Sequence, residues 1–297
     1  MSGKNALKRW ATYAAVATAL TLIVIKLGAW VATGSIALLS TLIDSVLDTG
    51  ASLVNLVAVR QALQPADRDH RFGHGKAEPL AGLAQSAFVA GSGLFLVIEA
   101  AGRFADPQPV TRPLVGILVM GVSILLTLAL VGFQKYVVRK TKSVAVNADS
   151  LHYTGDVLIN LSVIASLLLS SQLGFSLADP LFAIAIALYL LWNALGIARS
   201  SMDLLMDREL PQAERDRIKQ IARLHPGVMN VHDLRTRSSG TQGFIQLHLE
   251  MDGQLPLTQA HAIADAVELK LREAFPEADV IIHQDPAGLT EQHPVFK

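Results

Sequence analysis

Long apolar runs alternate with short polar connections over the first two thirds of the chain. A helix needs about 20 residues to cross a bilayer, and six runs reach that length. They lie at 11–32, 36–59, 79–102, 113–134, 145–170 and 177–200. The second and fifth are the least uniform, because both carry acidic residues. The pattern predicts an all-α, six-helix transmembrane bundle within a domain spanning 1–206.

Beyond this point the pattern changes to shorter amphipathic segments. Two have helical period, "LPQAERDRIKQIARLHPG" and "LTQAHAIADAVELKLREAF". Three have the character of strands, "VMNVHDLRTR", "GFIQLHLEMD" and "ADVIIHQDP". In the second strand every other residue from Ile245 to Met251 is apolar, as on a half-buried strand. The order α-β-β-α-β predicts a small cytoplasmic α+β domain with an open-faced sheet over 207–290, followed by a polar tail at 291–297.

Basic residues are concentrated in alternate connections. They precede the first span and follow the second, fourth and sixth: Lys4, Lys8, Arg9; Arg60, Arg68, Arg71, Lys76; Lys135, Arg139, Lys140, Lys142; Arg199, Arg208. The opposite side offers only Arg103 and Arg112. Because cytoplasmic loops carry the excess of Lys and Arg, we expect both termini in the cytoplasm. The first span has no small-residue cleavage site and is interpreted as a retained helix.

Composition narrows the functional classes. Of the residues, 51% are hydrophobic and 17% charged, which is typical of a membrane protein. The net charge is zero, so no bulk field indicates nucleic acid. Without cysteine, a metal site must use His, Asp, Glu or backbone oxygen. "GHGK" is not a phosphate-binding loop, since Ala77 stands where a Ser or Thr would meet Mg²⁺, so we expect no nucleotide partner.

Two of the spans contain pairs of polar residues spaced i, i+4, which places each pair on one helix face. The pairs are Asp44 with Asp48, and His152 with Asp156. An acid near the bilayer centre costs about 2.5–3.5 kcal/mol, so these groups should converge inside the bundle and be neutralised. Lys26, protonation or a divalent cation could do this. Three carboxylates and one imidazole suit tetrahedral Zn²⁺, while a proton relay and purely structural packing remain open.

Three further features carry candidate chemistry. Asp149 lies a turn before His152 and is predicted to cap a helix at the water interface. The loop after the second span contains Asp67, His70 and His74, which could hold a metal or simply be solvated. The predicted soluble domain contains a third set of imidazoles and a carboxylate that could form a metal cluster: His232, His248, His261, His283 and Asp285.

The combination of these motifs resembles the cation diffusion facilitator family over nearly the whole chain. It comprises Asp44-x-x-x-Asp48, His152-x-x-x-Asp156, "PADRDHRFGHGKAEPLA", "HDLRTR", "FIQLHLEMD" and "DVIIHQDP". The resemblance implies a transport site at the two i, i+4 pairs and a second site at the loop residues. It implies a binuclear site at the third set, in a domain folded like a copper metallochaperone, with Gln284 offering a backbone oxygen or an outer contact.

The resemblance also implies that Lys76 and Asp207 interlock the protomers of a homodimer, and that Leu151 is an apolar gate. The implied function is export of a divalent cation from the bacterial cytoplasm across the inner membrane, by proton-coupled antiport with alternating access. Zn²⁺ is expected as substrate and as a structural or regulatory ion in the soluble domain, with no catalytic cofactor. The imidazole of His152 favours Zn²⁺, Cd²⁺ or Fe²⁺ over Mn²⁺.

Three rival functions remain. A membrane-embedded metalloenzyme would need a helical H-E-x-x-H or similar motif, which the sequence lacks. A metal sensor would need no ligands inside the membrane, so the carboxylates within the predicted spans argue against this function. A proton-driven exporter of organic cations would show no metal binding that depends on Asp44.

Overall fold

The computed structural model describes residues 3–34, 36–105, 114–173, 178–240 and 242–288. It divides into two compact units, Met1–Met202 and Asp203–Lys297, which are treated separately below. Arg112 and the polar tail at 291–297 lie outside the described residues.

Six long helices form the first unit. They are α1 (Gly3–Thr33), α2 (Ile36–Ala62), α3 (Ala77–Ala105), α4 (Leu114–Thr141), α5 (Val144–Leu173) and α6 (Ala178–Leu205). Each coincides with one of the predicted runs to within one residue at its start or extends beyond it, and the predicted helical bundle is confirmed. Several helices extend a turn or two beyond the apolar run. In α4, for example, Lys135, Arg139 and Lys140 continue the helix, because Lys and Arg are good helix formers.

The surface of this unit is apolar and its interior is comparatively polar. Over the described residues, α1–α4 and α6 are long and apolar enough to cross a membrane. Val31 and Trp192 are 72% and 77% exposed, whereas Asn55, Gln85 and Gln134 are buried. Soluble proteins show the opposite distribution. The arrangement fits membrane helices, which expose large apolar side chains to lipid and pack small and polar side chains against each other.

The helices pack in a connected set. α1 lies against α2 and α4, and α5 lies against α3 and α4. α6 joins through an apolar cluster in which Val89, Leu151 and Leu190 pack together. At Gly155 a Cβ atom would come within 3.1 Å of Leu190 Cδ2, so the close approach of α5 and α6 depends on glycine.

One buried ion pair connects the cytoplasmic ends predicted for α1 and α3. Lys8 Nζ lies 2.7 Å from Glu78 Oε2, and the two side chains are 4% and 2% exposed. Lys8, which contributes to the orientation argument as a loop charge, is therefore inside the protein and paired. Pairing is what makes two buried charges tolerable.

The second unit has the predicted order α-β-β-α-β, which is confirmed. Its elements are α7 (Gln212–Arg223), β1 (Asn230–Ser238), β2 (Gly243–Met251), α8 (Leu257–Ala274) and β3 (Ala278–Pro286). The sheet order is β1-β2-β3, with β1 antiparallel and β3 parallel to β2. The predicted alternation in β2 holds: Ile245, Leu247 and Leu249 are at most 1% exposed and pack with residues of α7 and α8. Gln246, His248 and Glu250 therefore lie on the other face.

A bulge interrupts the β1–β2 ladder between His232 and Arg235. Asp233 lies within it at φ 42°, in the left-handed region that non-glycine residues rarely adopt. Its carboxylate is held by Arg235, with Nε 3.2 Å from Oδ1 and Nη2 2.9 Å from Oδ2.

Candidate metal centres

The face between α2 and α5 carries the most buried candidate group. Asp48, His152 and Asp156 each present a ligand atom, all within 4.8 Å of one another. His152 Nε2 lies 3.0 Å from Asp48 Oδ1 and 3.8 Å from Asp156 Oδ2, and the imidazole is 7% exposed. One nitrogen and two carboxylate oxygens converging at this distance form a donor set that suits Zn²⁺. The i, i+4 spacing on α5 aligns His152 with Asp156, as predicted.

Aromatic rings pack around the imidazole. The ring of Phe88, on α3, meets His152 edge-on with centroids 5.5 Å apart, and the Tyr153 ring lies 5.3 Å away. These contacts, together with the bond to Asp48, restrict the rotation of His152. The ring therefore has a defined orientation before any ion binds.

Lys26 approaches the group from α1 and donates hydrogen bonds to α2. Its Nζ donates to Ser45 Oγ at 2.6 Å and to Thr41 O at 3.0 Å. Its charge acts on Asp44, Asp48 and Asp156. A single ammonium group faces three carboxylates, so negative charge is left for protons or a cation to offset.

The structure brings together three of the four residues predicted for the transport site. Asp44 lies one turn before Asp48 on α2, but its side chain is exposed and it is not part of the convergent group. Helical spacing aligned Asp44 with Asp48, but the distance of each from α5 depends on how the two helices cross.

The prediction that Asp149 caps the start of α5 is wrong. α5 begins at Val144, and Ser143 is its cap, since Ser143 Oγ accepts a hydrogen bond from Val146 N at 3.2 Å. Asp149 lies inside the helix and is 1% exposed. Gln134 Nε2 donates to its Oδ2 at 2.6 Å.

The loop between α2 and α3 forms the second group. Asp67, His70 and His74 present ligand atoms within 4.8 Å of one another. Asp67 Oδ1 lies 3.2 Å from His70 Nδ1, and Oδ2 lies 3.4 Å from His74 Nε2. The imidazole centroids are 4.4 Å apart. Gly73, at φ 73°, allows the turn that brings the second imidazole back.

Backbone donors prepare the Asp67 carboxylate for a cation. The N–H of His70 donates to Oδ1 at 2.7 Å and that of Asp69 at 3.0 Å. The His70 N–H is the main reason that the pKa of Asp67 lies below its usual range. The carboxylate is therefore ionised across the physiological range, as a metal ligand must be.

The third group lies on the face of the sheet opposite α7 and α8, and strand register assembles it. His232 pairs with His248 across β1 and β2, and His248 pairs with His283 across β2 and β3. Asp285 follows His283 by two residues and so shares its face. Asp285 Oδ2 lies 2.7 Å from His248 Nδ1 and 3.3 Å from His232 Nε2, while Oδ1 lies 3.1 Å from His283 Nε2. One carboxylate thus faces three imidazoles, a geometry that could bridge two ions.

His261 does not join this group within the chain. It lies exposed on α8, with Nε2 3.5 Å from Asp265 Oδ2. Two acids that the sequence did not single out do approach the imidazoles. Glu250 Oε1 is 3.0 Å from His232 Nδ1, and Asp233 Oδ2 is 3.7 Å from His248 Nε2. Their signal in the sequence was position alone, since Glu250 is two residues after His248 and Asp233 is next to His232.

The remaining predicted residues have clear locations. Leu151 is 7% exposed and packs in the cluster formed with α3 and α6, next to His152. Lys76 directly precedes α3. Asp207 lies two residues after α6 at φ 57°, with Oδ2 3.3 Å from Arg237 Nη1. The gate and the interlock stay predictions.

Comparison with known proteins agrees with these features. Residues 12–206 match the family described as the cation efflux transmembrane domain, and residues 210–287 match the cation efflux protein cytoplasmic domain. The chain belongs to the cation diffusion facilitator family. It is 50% identical to the cation-efflux pump FieF of Escherichia coli O1:K1 over 279 residues, 94% of this chain and 93% of that protein. The FieF pump of Shigella sonnei matches equally well.

One solved structure matches the second unit of the chain. The putative zinc transporter CzrB is 36% identical over 27% of this chain and 99% of that chain, with a TM-score of 0.26. The family assignment therefore rests on the sequence matches. It makes the protein a membrane-embedded transporter that exports divalent metal cations, and not a catalytic enzyme.

Proposed function

We propose that the protein exports Zn²⁺, and also Cd²⁺ or Fe²⁺, from the bacterial cytoplasm in exchange for protons. The observation that carries the proposal is the position of His152 Nε2 between the carboxylates of Asp48 and Asp156. The site contains a nitrogen donor and no thiolate, and this set suits borderline divalent metals. Asp44, one turn away on α2, completes the site when the helices close on the ion.

Coupling to protons follows from the same geometry. His152 Nε2 lies 3.0 Å from Asp48 Oδ1, so the hydrogen bond between these two atoms contains one proton. A metal ion binds that nitrogen only after the proton has left. Binding of metal and binding of a proton are therefore mutually exclusive at this atom, which is the requirement for exchange.

The direction of transport rests on the orientation predicted from basic residues, which places the protein in the bacterial inner membrane with both termini in the cytoplasm. The site alternately opens to the two sides, with Leu151 as the apolar barrier beside His152. Protons from the more acidic exterior displace the metal outward. The membrane potential also favours their inward movement.

Two further roles accompany transport. The group around Asp285 binds Zn²⁺ as a structural or regulatory ion in the cytoplasmic domain, and Asp67 with its two imidazoles binds metal at the membrane surface. The protein works as a homodimer, which fits the match of the second unit to a cation-efflux cytoplasmic domain. Lys76 and Asp207 interlock its protomers.

Flux through purified protein in proteoliposomes tests the transport site. We expect Asp48→Ala to abolish zinc uptake driven by a pH gradient, because it removes the oxygen closest to His152 Nε2. Asp216→Asn is the matched control: it changes an exposed carboxylate of α7 and should leave flux unchanged. Retained flux in Asp48→Ala would contradict the proposal.

Competition between metals tests the role of the imidazole. We expect His152→Asp to shift preference from Zn²⁺ toward Mn²⁺, because it replaces the nitrogen donor with oxygen. An unchanged ratio of zinc to manganese flux would refute this role.

A further inference from the structure

Asp149 is a buried carboxylate that the transport site does not use. It is 1% exposed, and two neutral side chains, Gln134 and Ser52, donate hydrogen bonds to it. Gln134 Nε2 lies 2.6 Å from Oδ2, and Ser52 Oγ lies 3.4 Å from Oδ1. Glu78, which is equally buried, has the ammonium of Lys8 at 2.7 Å. A buried polar group without its partners is costly, so the bonds to Gln134 and Ser52 must hold Asp149 in place.

These bonds form a second layer one helical turn from the candidate ligands, toward the end of α2 and the start of α5. This layer is called the lower layer. Ser52 follows Asp48 by one turn on α2, and Asp149 precedes His152 by nearly one turn on α5. Asp48 meets His152, and Ser52 meets Asp149, so the two helices run antiparallel along this face. Tyr153 completes the lower layer, with its hydroxyl 2.8 Å from Ser52 Oγ. The two layers are separated by about one helical pitch, roughly 5.4 Å.

The lower layer connects three helices at one carboxylate. Asp149 belongs to α5, Ser52 to α2 and Gln134 to α4. Side chains project outward from the axis of an α-helix. A modest rotation of α5 about its axis would therefore carry His152 Nε2 away from Asp48. Bonds from α5 to two neighbours at the level of Asp149 oppose that rotation.

We propose that Asp149 is a positioning residue that fixes the rotation of α5 against α2 and so keeps His152 within reach of Asp48. The inference rests on the proposed transport site. Its role is to accept hydrogen bonds, so an uncharged acceptor of the same shape should serve nearly as well.

Two substitutions at this position separate the acceptor from the charge. Asp149→Leu removes every bond, and we expect it to raise the apparent KM for Zn²⁺ in proteoliposomes by about 10–100-fold, the usual cost of losing an outer partner of a metal ligand. Vmax should fall much less. Asp149→Asn keeps an oxygen for Gln134 and should restore KM to within about tenfold of the wild type.

A second variant tests the same bond from the other helix and keeps the inference testable if Asp149→Leu does not fold. Gln134→Leu should raise the KM for Zn²⁺ in the same direction. Ser123→Ala is the control, because this buried hydroxyl of α4 donates to Val119 O of its own helix, and the KM of this variant should equal that of the wild type.

The outcomes distinguish this inference from the proposed function. A wild-type KM in both Asp149→Leu and Gln134→Leu would overturn it. So would an Asp149→Asn protein as impaired as Asp149→Leu, since the charge would then be what matters. Asp48→Ala belongs in the same series. If Asp48→Ala retains flux, the transport site itself is wrong; if it loses flux while the Asp149 variants are normal, only the positioning role fails.

Discussion

The buried group between α2 and α5 and the group on the sheet contain the same residue types, His and Asp. They are held in place by different interactions. In the sheet, His232, His248 and His283 lie on three adjacent strands in register. Backbone ladder bonds fix their spacing. In the membrane unit, Asp48 and His152 lie on separate helices whose backbone bonds are internal to each helix, so side-chain bonds and helix packing set the distance between them.

This difference matches the two proposed roles. Packed helices can slide and turn by small amounts, and a site formed across them can release its ion when they do. A site formed across a ladder keeps its shape unless the sheet unfolds, which suits an ion that stays bound.

Removal of one imidazole from each group should give opposite results. We expect His152→Ala to lower zinc flux by more than about 100-fold, beyond the usual cost of losing an outer partner of a ligand. His232→Ala should leave flux within severalfold of the wild type and lower the amount of zinc retained at equilibrium. Flux in proteoliposomes and equilibrium dialysis measure the two effects. An equal loss of flux in both variants would show that the sheet group takes part in conduction.

Truncation of the sheet core should remove the second group alone. Leu249 is fully buried between His248 and Glu250, and Leu249→Ala should cost about 2–5 kcal/mol. The three tryptophans, Trp10, Trp30 and Trp192, all lie in the membrane unit. Hydrogen exchange in β2 should therefore rise while the tryptophan unfolding transition stays unchanged.

The control for this variant is Leu269→Ala, since Leu269 is 59% exposed on α8 and surface changes usually stay within about 0.5 kcal/mol. A shift of the tryptophan transition in Leu249→Ala would mean that the two units unfold together.

Crowding the helix contact should affect the first group alone. Gly155→Ala places a methyl group 3.1 Å from Leu190 Cδ2 beside Asp156, and overpacking of this kind costs about 1–3 kcal/mol. We expect the membrane unit, followed by its tryptophans, to unfold at a lower temperature. Zinc flux should fall, and the sheet group should retain zinc normally. Gly121→Ala is the matched change, because its methyl group would meet nothing within 4 Å. Equal effects of the two alanines would contradict the close α5–α6 approach.

The smallest expected effect concerns protons at the loop group. The N–H of His70 lowers the pKa of Asp67, so this carboxylate is ionised at every pH above its usual range and loses no proton when metal binds. Asp67→Asn should weaken binding yet leave unchanged the number of protons released per ion at pH 6.5. Calorimetry in buffers of different ionisation enthalpy measures it, and NMR of the Asp67 carboxyl is the direct check. A carboxyl of Asp67 that titrates near pH 6.5 would contradict the prediction.

Much of the fold was predictable because its signals are local. Apolar runs predicted each long helix, and the alternation from Ile245 to Met251 predicted the buried face of β2. The i, i+4 spacing predicted that His152 and Asp156 share a face. Each inference needs only neighbours in the chain and a fixed repeat.

The features that the sequence did not reveal depend on distant residues. Asp149 looked like a cap, but Ser143 caps the helix, and the partners of Asp149 on α2 and α4 are 97 and 15 residues away. The sequence did not reveal that Asp44 would lie outside the convergent group, because the crossing of α2 and α5 decides it. The bulge at Asp233 interrupts β1, and the sequence has no glycine at this position that would have predicted it.

The ion pair between Lys8 and Glu78 spans 70 residues of sequence. Because a protein is synthesised from its N-terminus, the lysine emerges from the ribosome well before its partner exists. This ion pair can therefore form only after α3 has been synthesised. The contact that buries the start of α1 is completed late relative to the synthesis of that helix.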